Sequence, residues 1–269
     1  MLLKKNQLQT FYLKIQIMKK VVLLFSIAFL SFTPYPNDEI KIINNDTPIL
    51  VKEIINYKDD KQYVDKITYN GNKIVSQNNA DGFIINYTYT GDLITKIEAF
   101  EYKGKPYFTQ HYTYVNGKID TSTFTMHSNF YHKTEIKYTH NADGTVSYNN
   151  FTTLPSGEKQ PNARGGKYTF NNGNLIKEES LYEGRETVIT YEYDTKNNVF
   201  RNVLGFNLLL DRITCSVNNV TKLTSKFSDI ESMTTTYVYK YDSDDFPKEE
   251  IKTDVYETST YTKKISYRY

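Results

Sequence analysis

The sequence predicts an all-β protein, an antiparallel β-meander of about sixteen strands built from repeated hairpins and curled or closed into a barrel-like sheet. Three observations carry this reading. Pairs of aromatic residues one position apart, typified by Tyr87-Thr-Tyr89, recur along the chain, and strand alternation puts both rings of a pair on one face. Turn signals rich in Asn and Gly separate strand-like runs at intervals of about ten residues, the rhythm of hairpins and not of strands alternating with helices. The composition, with 25 Tyr and 15 Phe but no Trp, suits a pleated, half-buried surface.

A chain of 269 residues could form two ordinary domains, but the repeat runs unbroken enough to predict one, over 49–269. Lys and Arg number 33 against 31 Asp and Glu, so a net charge of +2 offers no general attraction to phosphate polymers, and nucleic acid is not an expected partner. Cys215 is the only cysteine, so the chain forms no internal disulfide.

In chain order, Met18-Lys19-Lys20 followed by the apolar run Val21 to Leu30 has the pattern of a secretory signal peptide, read here as 1–33 with Met18 as an alternative start. The run is shorter than the roughly 20 apolar residues of a spanning helix. The alternatives are a buried N-terminal helix or a retained membrane anchor. No cysteine precedes Thr214, so no N-terminal cysteine is available for a lipid anchor. Pro34, Pro36, Asn44, Asn45 and Pro48 make 34–48 a linker. Export to the periplasm or the cell surface is the expected destination.

From Ile49 onward the turns are chemically explicit. They are Asn70-Gly71, Asn79-Ala-Asp-Gly82, Gly91-Asp92, Lys103-Gly104, Asn116-Gly117, Asn141-Ala-Asp-Gly144, Asn172-Gly173 and Glu183-Gly184. The paired positions fall at Ile67/Tyr69, Tyr87/Tyr89, Tyr112/Tyr114, Ile136/Tyr138, Tyr168/Phe170, Tyr191/Tyr193, Ile213/Cys215, Tyr237/Tyr239 and Tyr267/Tyr269. Their spacing of 20 to 32 residues makes each copy one hairpin. Cys215 stands where an aromatic belongs and reads as a small packed residue.

Two stretches break the rhythm. Leu154 to Gly166, with Pro155, Pro161 and Gly165-Gly166, reads as the longest loop and a candidate functional excursion. Asn198 to Asp211 carries Val199, Val203, Phe206 and Leu210 at helical spacing and predicts a short helix or an apolar plug. The chain closes on Ile265, Tyr267 and Tyr269, a strand finishing on its aromatic pair. Outer-membrane barrels also end on a terminal aromatic.

The repeat, carried by Tyr191-Glu-Tyr-Asp-Thr-Lys-Asn-Asn198, Asn218-Asn-Val-Thr-Lys222, Tyr239-Lys-Tyr-Asp-Ser-Asp-Asp-Phe-Pro247 and Tyr267-Arg-Tyr269, resembles the YD repeats of Rhs-type proteins. It resembles more closely the exported β-proteins of unknown function in Bacteroidetes, many of them lipid-anchored and some grouped under a porin-like fold. The resemblance covers about 49–269 and implies a β-meander and a cell-envelope address. It implies no activity. The missing lipidation cysteine departs from the commoner pattern.

Little in the sequence points to chemistry. His111, His127, His132 and His140 cluster, but their strand parities disagree, so no metal site is predicted. Asp242-Ser-Asp-Asp245 lacks the Gly and distal Glu of a calcium loop and reads as an acidic turn, as Asp59-Asp60 does. No nucleophile elbow, Cys-His signature or phosphate-cradling loop occurs, and Gly165-Gly166, followed by Lys167-Tyr168, lacks the Lys-Ser/Thr context of one. Glu98, Glu135, Glu178 and Glu179 read as solvated cross-strand partners of lysines. Tyrosine rings on a sheet can stack on a sugar or a peptide while the hydroxyl hydrogen-bonds, yet at a fixed repeat position their first role is to fill the sheet.

These readings predict a non-catalytic binding or structural module of the cell envelope that uses no cofactor, with a glycan or an envelope protein as its expected partner. An integral outer-membrane barrel is the first alternative and a glycan-active enzyme the second. Against the membrane reading, Leu175-x-Lys-x-Glu-x-Leu181 and Ile176-x-Glu-x-Ser-x-Tyr182 each carry charge, whichever face meets lipid.

Overall fold

Hairpin follows hairpin until the sheet meets itself. The computed structural model describes residues 47–59, 61–127, 132–154, 156–210, 216–228, 232–256 and 259–269. The predicted signal peptide, most of the linker and the Ile213/Cys215 pair lie outside the described residues.

Sixteen strands form one closed barrel. They are β1 (Glu53–Lys58), β2 (Lys61–Asn70), β3 (Lys73–Asn78), β4 (Ile84–Thr90), β5 (Leu93–Glu101), β6 (Lys105–Val115), β7 (Lys118–Met126) and β8 (His132–His140). The second half comprises β9 (Val146–Thr153), β10 (Lys159–Asn171), β11 (Asn174–Tyr182), β12 (Arg185–Tyr193), β13 (Val220–Phe227), β14 (Met233–Tyr241), β15 (Pro247–Tyr256) and β16 (Ser259–Arg268). Every strand pairs antiparallel with its neighbours in sequence, and β1 pairs with β16, Ile54 opposite Tyr267. Closure satisfies both edges that an open sheet of this width would expose.

Eight of the nine predicted pairs lie on the even-numbered strands β2 to β16, at the end where each strand leaves the barrel for its hairpin turn. The turn chemistry is that expected of hairpins. In Asn116-Gly117 both residues take positive φ, 52° and 73°, the two-residue geometry whose twist matches the flanking strands. The two Asn-Ala-Asp-Gly turns share one hydrogen-bond pattern, with Asn79 and Asn141 each closing onto the residue four positions on.

A β-bulge sits beside most of these turns. The register slips by one residue between Thr68 and Tyr69, Thr88 and Tyr89, Thr113 and Tyr114, Thr169 and Phe170, and Lys240 and Tyr241. An extra residue on the odd strand reverses the parity of everything after it. On β11, for example, Leu175 pairs with Phe170 while Glu178 pairs with Tyr168, so both point inward.

The stretch predicted as the longest loop is corrected in part. Leu154 N donates to Glu158 O at 2.9 Å and Gly157 N to Leu154 O at 2.8 Å, but Lys159 onward is β10, the longest strand of the barrel. Pro161 is accommodated at a register irregularity between Pro161 and Gly165, where a missing N–H breaks no ladder bond. Gly166 lies beneath the Tyr148 ring, a close approach that no side chain would permit.

The predicted plug is present. Between β12 and β13, residues 194–210 and 216–219 lie across one end of the barrel, with one 3-10 turn among the described residues at Phe206–Leu208. Phe206, Leu209 and Leu210 are buried to 1% exposure or less and pack with Ile74, Ile94, Ile119 and Leu175 in one core. Burying each such side chain is worth about 1.5–3 kcal/mol. Polar contacts fix the crossing. Leu204 donates to Asn72 O at 2.9 Å, Asn202 Nδ2 donates to Ile49 O at 3.0 Å, and Asn218 and Asn174 exchange two bonds of 3.1 and 3.0 Å. The core therefore starts at the plugged end, and on β5 and β6 it continues toward the other end through Ala99 and Phe108. The described connections at the opposite end are short turns.

Candidate functional site: the barrel interior

The even-strand tyrosines divide into two sets. The second member of each pair sits at the plugged end and is structural. Tyr114 OH donates to Ile94 O (2.6 Å), Tyr193 OH to Leu175 O (2.6 Å), Tyr239 OH to Val220 O (3.0 Å) and Tyr269 OH to Pro247 O (2.9 Å). Tyr89 instead reaches the plug at Leu204 O, 3.0 Å. The first members, among them Tyr168, Tyr191, Tyr237 and Tyr267, stand one layer deeper and line the interior.

Below these rings the inward face turns polar. Counting along each strand from the plug, a layer is formed by Asp65, Gln77, Gln110, Ser122, Asn150, Glu178, Ser225, Thr235, Glu250 and Lys263. Glu178 accepts from Tyr148 OH at 3.4 Å and is paired electrostatically with Arg164. Burial pushes its carboxyl above the ordinary value, against the lowering pull of Arg164 and the Tyr148 and Tyr191 hydroxyls. Glu250 is raised by burial too, with the Tyr267 hydroxyl at 2.5 Å and the Lys263 and Lys252 charges opposing the shift. Asp65 is pushed up to about 6, chiefly by burial. Lys263, between Glu250 and Asp65, is lowered by the same cause. Asp254 accepts from Thr235 Oγ1 (2.5 Å) and Lys252 Nζ (2.9 Å).

Exposure varies around the wall, and Gln77, Ala99, Phe108, Ser122 and Thr235 stay buried away from the plug. Ile74, Ile94 and Leu175 near the plug are fully buried, whereas inward-facing Ile136, Ile189, Tyr191, Tyr237 and Lys263 are partly exposed. Porins of this strand number hold an aqueous channel. The interior is thus shut at the plug and lined with polar groups toward the other end.

The outer wall is its opposite. Lys177 pairs with Glu179 (2.7 Å), Lys159 with Glu135 (2.8 Å), Lys222 with Glu192 (2.9 Å) and Lys240 with Glu249 (2.9 Å), all on outward positions. Such pairs add little stability, about 0–1 kcal/mol each.

The four glutamates expected to be solvated lysine partners therefore separate. Glu98, Glu135 and Glu179 are outward lysine partners as expected. Glu178 is not, because the bulge before it turns it into the barrel. Of the histidines, His111 is exposed, His127 Nε2 bonds Thr109 Oγ1 (2.8 Å) and His140 Nε2 bonds Ile119 O (2.9 Å), while the side chain of His132 lies outside the described ones. Among the described residues no group of three or more His, Cys, Asp or Glu is arranged to hold a metal. Asp242 caps its own turn, accepting from the Asp244 and Phe246 amides at 2.9 Å. Asp59 forms a turn with φ 48°, and Asp60 and Cys215 lie outside the described residues. Glu250, Gln77 and Asn150 carried no sequence signal, since strand parity alone sorts them and each follows a bulge or faces an irregular partner.

No family model matches this chain, and no curated protein matches it. A solved structure does. It is a porin-like protein from Bacteroides uniformis, with a TM-score of 0.50 over 80% of this chain and 95% of that one, at 12% sequence identity. At that identity the likeness is one of fold, and it agrees with the β-meander that the resemblance implies. No helix among the described residues is long and apolar enough to cross a membrane, which says nothing of a barrel.

Proposed function

We propose that this protein is an exported cell-envelope barrel that stays in water and takes a small ligand into its tyrosine-lined interior without transforming it. One observation carries the reading: aromatic rings and buried acids face inward while lysine–glutamate pairs cover the outer wall. A lipid-facing Lys near mid-membrane costs roughly 2–4 kcal/mol, and β10, β11 and β13 each present at least one on their outward face. The N-terminal pattern supports export.

An integral outer-membrane barrel is the second reading. The closed sheet of sixteen strands and the likeness to a porin-like protein favour it on architecture at least as well. Size-exclusion chromatography and far-ultraviolet circular dichroism of the chain from Asp38, in buffer without detergent, separate the two. A monodisperse β-protein supports the first reading. Aggregates that become a heat-resistant β-form only in detergent overturn it in favour of the second. The enzymatic alternative rests on Glu178 and Glu250, and glycan turnover that disappears in Glu178→Gln would establish it.

A further inference from the structure

Deepening the reading of the interior as a binding chamber, we propose that its polar layer binds a short neutral saccharide, with Gln77 and Asn150 accepting its hydroxyl hydrogens and Tyr191 and Tyr237 offering ring faces. The first support is unmet hydrogen-bonding capacity. Gln77 is 2% exposed and gives its amide N–H to Asp65, yet its Oε1 has no partner. Asn150 Oδ1, on β9, is buried and without a partner as well. An unmet buried acceptor costs about 1–3 kcal/mol. Both orphans are acceptors, so the complementary ligand presents donors. Water can meet that need, and sugar hydroxyls replace it bond for bond.

The second support is charge. Glu178 has Arg164 beside it, Glu250 has Lys263 and Lys252, and Asp254 has Lys252. With Asp65 beside Lys263, these four inward acids share three bases, a nearly balanced set that favours a neutral ligand over an ionic one. Shape is the third. The plug closes one end, so a ligand entering opposite it stops in a blind chamber, which suits a short oligosaccharide or a chain end. Tyr102, Tyr182 and Tyr261 stand exposed at that entrance, on the connections and strand ends farthest from the plug, where pyranose rings can stack.

The test is isothermal titration calorimetry of the full chain with maltotriose, cellotriose, chitotriose, spermidine and laurate. Tyrosine fluorescence serves as a second readout because no Trp is present. Saturable binding of at least one trisaccharide is expected, weakened at least 10-fold in Gln77→Leu and in Asn150→Leu. Should either core variant fail to fold, Tyr261→Ala at the exposed rim is expected to weaken the same binding several-fold. Saturable binding of spermidine or laurate without any trisaccharide overturns the saccharide assignment and leaves the chamber standing. Binding of none of the five overturns both, as does trisaccharide binding that all three variants leave unchanged.

Discussion

The hydroxyl of Tyr114 donates to the carbonyl of Ile94 at 2.6 Å, reaching back 20 residues to the bulged strand of the preceding hairpin. The bulge leaves that carbonyl off the regular ladder, and the tyrosine completes it. The same bond recurs from Tyr193 to Leu175, Tyr239 to Val220 and Tyr269 to Pro247. A structural need met in this way at four of the eight hairpins explains why tyrosine recurs at the second position of those pairs.

Tyr114→Phe keeps the ring and removes only this bond. It is expected to lower unfolding stability by about 1–3 kcal/mol, because a buried acceptor is left unmet. Urea denaturation checks this, and a midpoint equal to that of the unaltered protein would show the hydroxyl to be incidental.

Gly205 seats the plug. Its φ is 72°, and a Cβ there would lie 2.7 Å from the Asp92 carbonyl oxygen. Gly205→Ala is expected to raise protease cleavage within residues 194–219 and to cost roughly 1–3 kcal/mol. Hydrogen exchange confined to the plug, with the strands still protected, is the matching signature. Unchanged cleavage would mean that the plug is held by its apolar side chains alone.

Gly165 and Gly166 are adjacent but unequal. A Cβ on Gly166 would overlap the Glu179 carbonyl oxygen and meet the Tyr148 ring at 2.6 Å, whereas one on Gly165 meets its nearest atoms at 3.1 Å. Gly166→Ala is therefore expected to destabilise by more than about 2 kcal/mol and Gly165→Ala by markedly less. Trimming Tyr148 will not rescue Gly166→Ala, since the closer clash is with backbone. Thermal melts of the variants decide the order.

Asp65 makes stability depend on pH. Burial raises its folded pKa from 3.8 to about 6, with Lys263 and Gln77 opposing the shift and Asp81 adding to it. The folded state then holds more protons than the unfolded one between these values, so stability falls as pH rises through that window. The full effect is at most about 3 kcal/mol. Glu178 and Glu250 are shifted in the same direction, so the contribution of Asp65 is read as a difference. Asp65→Asn should flatten the decline between about pH 4 and 6. A decline of the same slope in the variant would assign it to the other acids.

Much of this was legible in the chain because it is local. Asn-Gly and Asn-Ala-Asp-Gly turns need only a few residues to specify them, and the aromatic pairs mark eight even strands directly. The apolar spacing of Val199, Val203 and Phe206 announced the plug. The stretch after Leu154 misled, because Pro161 and two glycines read as loop while the neighbouring strands held it as β10.

By itself the sequence determined the hairpins, their number, the turn types and the presence of an apolar insertion, all of which depend on contacts within about 25 residues. Only the tertiary structure decided that β1 meets β16, at the far end of the chain, and that Glu178, Glu250 and Gln77 face a common interior. The reason is physical: alternation has a period of two, one bulge reverses it, and which face is inside exists only once the sheet has closed.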